Sequence, residues 1–143
     1  MKDLEQAHML LAMAEKDARA LAVMGDAEAV ATEIFGLHVQ QAVEKGLKAW
    51  LCLLGVRFAK RHDLDELAAQ LEDAGQSVPE AFAPLLTFTD FAVTFRYEAF
   101  PEFEADLDRA TTTVLVERFL AHVRQRPAWE ESEFEGHNTE LPP

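Results

Sequence analysis

The chain has 143 residues, 49% apolar and 27% charged, with a formal net charge of −13 and a single cysteine. That length is one domain's worth of sequence and the balance is that of a globular protein. One cysteine excludes an intrachain disulfide framework and a cysteine-rich zinc site, and so acidic a chain does not coat DNA through overall basic charge.

The longest apolar run, residues 49–56, falls far short of the ~20 residues that span a bilayer. Met1-Lys2-Asp3-Leu4-Glu5 puts acids where a signal peptide carries basic residues. The expectation is a cytoplasmic protein with no membrane association.

Helical periodicity then dominates. Leu4, Ala7, Leu11, Ala14, Ala18 and Leu21 recur in steps of three and four and form one apolar stripe. Gly25-Asp26 breaks the pattern and supplies a cap. A second helix over about 27–54 buries Phe35, Val39, Val43, Leu47, Trp50 and Leu54, and Gly55 ends it. After a basic loop, Asp63 caps a short third helix, with Glu66 placed as in a capping box. Leu64, Leu67 and Leu71 face inward and Gly75 stops it. Pro79 suits the first turn of a fourth helix, along which Leu85, Phe88, Phe91 and Phe95 recur. Pro101 separates it from a fifth, built on Phe103, Leu107, Ala110, Val114 and Ala121 and ended by Pro127. No strand alternation and no internal repeat is present. The expected architecture is all-α: one single-domain, five-helix bundle over residues 1–126. Residues 127–143 hold five glutamates and no Lys or Arg and read as an acidic C-terminal tail; Trp129 and Phe134 are its only large anchors, and the alternative is that Trp129 docks onto the bundle or onto a second subunit.

The second helix also carries a polar stripe. At ~100° per residue, His38, Gln41, Lys45 and Lys48 fall within an arc of about 80°, with Gln40 and Glu44 on its flank. A solvated face accounts for Lys48; for His38 and Gln41 a buried hydrogen-bonding role and a ligand role are both open. Lys45, Lys48, Arg57, Lys60 and Arg61 follow one another without an intervening acid. They make a positive island suited to phosphate, or one that neutralises acids elsewhere in the fold.

Arg57 stands five positions before His62. A histidine acting as acid or base beside an arginine that stabilises a phosphorane is the division of labour required by metal-independent RNA cleavage. His62 also has a purely structural use at the start of the third helix. In the fifth helix Arg118 falls within the apolar arc, where a carboxylate partner is its structural reading, and His122 lies one turn later. Arg96, beside Tyr97, has the reach for a phosphate or for Glu44. There is no glycine-rich phosphate loop, nucleophile elbow or histidine pair at metal-ligand spacing, so no metal and no cofactor is expected.

His38-Val39-Gln40-Gln41-Ala42-Val43-Glu44-Lys45-Gly46-Leu47-Lys48-Ala49, then Lys60-Arg61-His62-Asp63-Leu64 with Leu67, then Arg96-Tyr97 resemble the HEPN family (higher eukaryotes and prokaryotes nucleotide-binding domain) over roughly residues 4–125. The resemblance implies an up-and-down helical bundle that dimerises. It also implies a partnership with a minimal nucleotidyltransferase in a toxin–antitoxin-like pair and, in many members, RNase activity from an Arg followed four to six residues later by a His. Here Arg118 and His122 have three residues between them. Arg57 and His62 have an allowed spacing but stand before the third helix rather than late in the bundle.

The leading functional expectation is therefore a homodimeric module that binds nucleotide or RNA phosphate through His38, Gln41, Lys45, Lys48, Lys60, Arg61 and Arg96. The alternatives are a metal-independent endoribonuclease toxin using Arg57/His62 or Arg118/His122, and a non-catalytic dimeric interaction protein. The phenylalanine cluster Phe82, Phe88, Phe91, Phe95, Phe100 and Phe103 is a further reason to expect a seam between two copies.

Overall fold

α1 runs over Leu4–Val23, capped by Asp3, whose side chain accepts from the Gln6 amide at 2.9 Å. Its buried residues are Ala7, Leu11, Ala14, Ala18 and Leu21, the stripe expected from spacing, and the three alanines allow the next helix to approach closely. α2 spans Thr32–Leu53. The amide of Asp3 donates to the Cys52 carbonyl at 3.3 Å, so the start of α1 meets the end of α2 and the two run antiparallel. These coordinates belong to a computed structural model, which describes residues 3–58, 62–89 and 108–130.

α2 begins five residues later than periodicity suggests. Asp26 does not cap it but forms a local turn, its side chain accepting from the Glu28 amide at 2.9 Å. The helix starts after Ala31, which makes no side-chain cap. Along α2 burial extends beyond the expected stripe: Gln40, Ala42, Glu44, Gly46, Ala49, Leu51 and Leu53 are all buried, because α1, the short helix after Asp63 and the last helix all pack on it. Gly55, at φ 74°, makes the turn that ends this helix, a backbone state that glycine adopts without the Cβ penalty.

α3, Leu64–Asp73, buries Leu64, Leu67 and Leu71 as expected, and Asp63 accepts from the amides of Asp65 and Glu66. Where a fourth α-helix was expected, Glu80–Thr89 is a 3₁₀ helix containing Pro84. Proline has no N–H and clashes with the turn before it, so a continuous α-helix is not accessible there. Leu85 and Phe88 on this segment are buried. Phe91, Phe95, Phe100, Phe103, Leu107 and Arg96 lie outside the described residues, as do Lys60, Arg61 and the tail beyond 130.

α4, Arg109–Arg124, is capped by Asp108. It presents a different face to the core from the one expected. The buried residues are Arg109, Thr113, Val116, Phe119, Leu120 and Val123, whereas Ala110, Val114, Arg118 and Ala121 are exposed. The expected stripe rested on small residues; Phe119, Leu120 and Val116 carry more apolar area and turn the helix toward themselves. Arg118 is therefore not a half-buried arginine.

Gly46 on α2 makes the close approach to α4: a Cβ there would sit 2.8 Å from Leu120 and 2.9 Å from Phe119. Arg124 closes a bidentate ion pair with Glu15 of α1, at 2.6 and 2.9 Å. Residues 127–130 do not begin a free tail. Ala128 and Trp129 are buried, the indole N–H donates to the Val123 carbonyl at 2.7 Å, and its ring lies 4.4 Å from that of His8. The Trp129 indole thus adds a second donor to the Val123 carbonyl at the end of α4, which also accepts from the Arg126 amide at 3.2 Å. The molecule is all-α: among the described residues there are four α-helices, one 3₁₀ helix and no strand.

Candidate functional site

The polar stripe of α2 resolves into two clusters. Gln40, Glu44 and Lys48, each four residues apart, stack on one side of the helix, and His62 reaches them from the connection to α3. Glu44 is the hub. Its Oε1 accepts from Gln40 Nε2 at 2.7 Å and from His62 Nδ1 at 2.8 Å, and its Oε2 accepts from Lys48 Nζ at 3.0 Å. Gln40 in turn accepts from Gln41 Nε2 at 2.9 Å. Lys48 also lies 5.2 Å from the centre of the Phe58 ring.

Gln40 and Glu44 are fully or nearly buried, and buried polar groups need such partners to repay their lost hydration. A carboxylate only accepts, so Nδ1 of His62 carries the proton. Its Nε2 is left on a side chain that is 58% exposed. Asp63, by capping α3, holds His62 at the helix start.

The second cluster is centred on Asp17 of α1, which takes Lys45 Nζ at 2.7 Å and His38 Nδ1 at 3.4 Å. Two lysines of the positive island are thus engaged with carboxylates. Arg57 is not. Its backbone carbonyl accepts from Gln70, but its exposed guanidinium has no partner among the described residues. It opens on a cleft of about 810 Å³ lined by Asp3, Gln6, Cys52, Gly55, Val56, Arg57 and Phe58. Burial, with the Asp3 carboxylate adding to it, pushes the Cys52 thiol up to about 11, so the group in that cleft is a neutral thiol, not a nucleophile.

The structure assembles neither Arg–His pair. Arg57 opens on the cleft beside α1 while His62 is held by Glu44. Arg118 lines a shallow apolar hollow with Ala110, Thr111, Val114 and Leu115, while the His122 ring packs edge-on against Trp50 at 5.4 Å and near Phe82 at 5.8 Å. Burial, reinforced by the positive charge of Arg126, lowers the pKa of His122. Among the described residues no three His, Cys, Asp or Glu side chains come together as a metal site, and no helix is long and apolar enough to cross a membrane.

Sequence reasoning placed Gln40 and Glu44 on the flank of the stripe and did not identify Glu44 as its centre. The available signal was the Gln40/Glu44/Lys48 spacing combined with a histidine directly before a capped helix. Nothing in the spacing indicated Asp17, Asp3 or Gln6, because they come from α1 and its cap.

A family model of the HEPN domain matches residues 7–126. No curated protein and no solved structure matches the chain. The matched span takes in most of α1, the Glu44 cluster, the connection carrying Arg57 and His62, and α4, and the chain belongs to the HEPN family.

Proposed function

We propose that this HEPN protein is a homodimeric module that binds the phosphate of a nucleotide or RNA through the segment joining α2 to α3. It would act beside a nucleotidyltransferase-like partner in a toxin–antitoxin-like pair. One observation carries the binding reading. Of the positive island, Lys45 and Lys48 are held by carboxylates, whereas the Arg57 guanidinium has no partner among the described residues and Arg57 lines a cleft. Arginine's fork of donors suits a phosphate there. Lys60 and Arg61 follow within four positions in the chain and add to the local charge.

The test is titration of the purified protein with a short RNA at rising salt. Binding should weaken steeply with salt. It should also weaken in Arg57→Ala and in the double variant Lys60→Ala/Arg61→Ala, while Lys45→Ala leaves it nearly unchanged. Salt-independent binding, or binding indifferent to both arginine-bearing variants, refutes the reading. For the dimer, light scattering that finds only a 16.0 kDa species at micromolar concentration refutes it.

A second reading, metal-independent RNA cleavage, is favoured by the Glu44–His62 contact, since a carboxylate-oriented imidazole with an exposed Nε2 has the form of a general base. Its missing element among the described residues is a cation beside that nitrogen. With chelator present, a fluorescent RNA should be degraded only at the buffer background. Cleavage abolished by His62→Ala but retained in His122→Ala establishes the second reading instead.

A further inference from the structure

Trp129 is seated on α1, its ring 4.4 Å from that of His8, so the chain that follows it is delivered to the first turns of that helix. The cleft that Asp3, Gln6 and Arg57 line lies at the same end of α1. Residues 131–143 carry four glutamates and no Lys or Arg, and Phe134 is their only phenylalanine.

The cleft and this segment match in three respects. Val56, Phe58 and the neutral Cys52 thiol give the cleft an apolar lining, which suits the Phe134 ring. The Arg57 guanidinium has no partner among the described residues, and Glu133 and Glu135 flank Phe134, each a carboxylate that the arginine fork can pair with. The Asp3 carboxylate adds an acceptor, and His137 and Asn138 follow with donors.

The length of chain is sufficient. At ~100° per residue, His8 and Gln6 stand about 160° apart around α1 and about 3 Å apart along it. At a radius of about 5.5 Å to the side chains, the path over the outer face is about 16 Å. Phe134 stands five residues past Trp129, and five extended residues span about 17 Å. Met9, 55% exposed, falls between His8 and Gln6 on that face and gives the crossing segment an apolar floor.

We propose that residues 131–143 dock in this cleft of their own chain, with Phe134 on Val56 and Phe58 and a flanking glutamate on Arg57. On the footing that Arg57 binds phosphate, the docked segment competes with that ligand for the same guanidinium.

The experiment compares amide NMR spectra of the full chain, its Phe134→Ser variant and its Glu133→Gln/Glu135→Gln variant at two protein concentrations. Both variants should move the signals of Gln6, Gly55, Val56 and Phe58 and leave those of Ala18 and Leu21, at the far end of α1, in place. Added salt should move the parent's signals toward those of the double variant. Signals that move only within residues 131–143 overturn the docking, as do signals that move instead at Val114 and Leu115, in the hollow on α4. Movement that grows with protein concentration assigns the contact to a second copy and overturns docking within one chain. A tethered segment has an effective concentration of about 1 mM. Against a contact with a dissociation constant of similar size the cleft is free about half of the time, so Phe134→Ser, which leaves the charge unchanged, should raise the affinity for a short RNA about twofold. Cleft signals that move with no change in RNA affinity keep the docking and refute phosphate binding at Arg57.

Discussion

Arg109 opens α4 with its guanidinium buried between elements distant in sequence. It donates to the carbonyl of Met24 at 2.8 Å and to the hydroxyl of Thr32 at 3.2 Å, with a marginal contact to the Asp26 carbonyl at 3.5 Å. Its charge also sits 5.1 Å from the Phe35 ring. It therefore ties the end of α1 to the start of α2, and its charge lies where the α1 dipole is negative. Replacing it by Met keeps much of the volume but removes two good charge-assisted hydrogen bonds, each worth about 1.5–3 kcal/mol net. Relief from burying a charge offsets one or two of these kcal/mol. The expected loss is about 2–4 kcal/mol. With an unfolding entropy of about 2.1 cal/mol/K per residue, 143 residues convert 3 kcal/mol into a fall of about 10 °C in Tm. Arg109→Lys, which keeps the charge but not the fork, should lose about half as much. Arg118→Met, on the exposed face, should stay within about 0.5 kcal/mol of the parent. Thermal and urea unfolding followed by circular dichroism measure all three. An Arg109→Met variant within 0.5 kcal/mol of the parent, or an Arg118→Met variant that loses more than Arg109→Met, would refute the placement of α4's buried face.

Cutting the chain after Arg126 removes Trp129 and should cost about 3 kcal/mol in urea unfolding, whereas cutting after Glu130 should cost little; equal stability of the two truncations would show that the indole does not anchor the bundle. Gly46→Ala gains about 1 kcal/mol of helix propensity but loses about 1–3 to overpacking against Phe119 and Leu120, so a net loss is expected, relieved in the double variant with Leu120→Ala; a stabilised single variant contradicts the close contact. His122 has a lowered pKa in the fold, so the unfolded chain binds its proton first: the stability it contributes is full above about pH 6.5 and is lost as pH falls through the folded value. Urea midpoints between about pH 7 and pH 5 should fall more steeply for the parent than for His122→Gln, and equal slopes would remove His122 from the account.

The local features were legible in the sequence because their physics is local. Leu11, Ala14, Ala18 and Leu21 mark a buried stripe by spacing alone; Asp63 is a cap because its side chain reaches amides two and three residues away; Gly55 ends α2 because the backbone needs a positive φ there. The run from His38 to Ala49 with His62-Asp63-Leu64 was enough to indicate the family. What failed depended on partners far along the chain. The face of α4 was misassigned because Ala110 and Val114 match a helical stripe as well as Val116, Phe119 and Leu120 do, and only the surface α2 offers at Gly46 decides between them. The start of α2 at Thr32 reflects contacts from Arg109, 77 residues away. The polar stripe of α2 was legible as a stripe. Its division into a cluster on Asp17 and a cluster on Glu44 was not, because the acid on α1 and the histidine before α3 meet α2 only when the helices pack. Spacing fixes which residues share a face; which charges on that face are neutralised, and which stay free to meet a ligand, is a property of the assembled bundle.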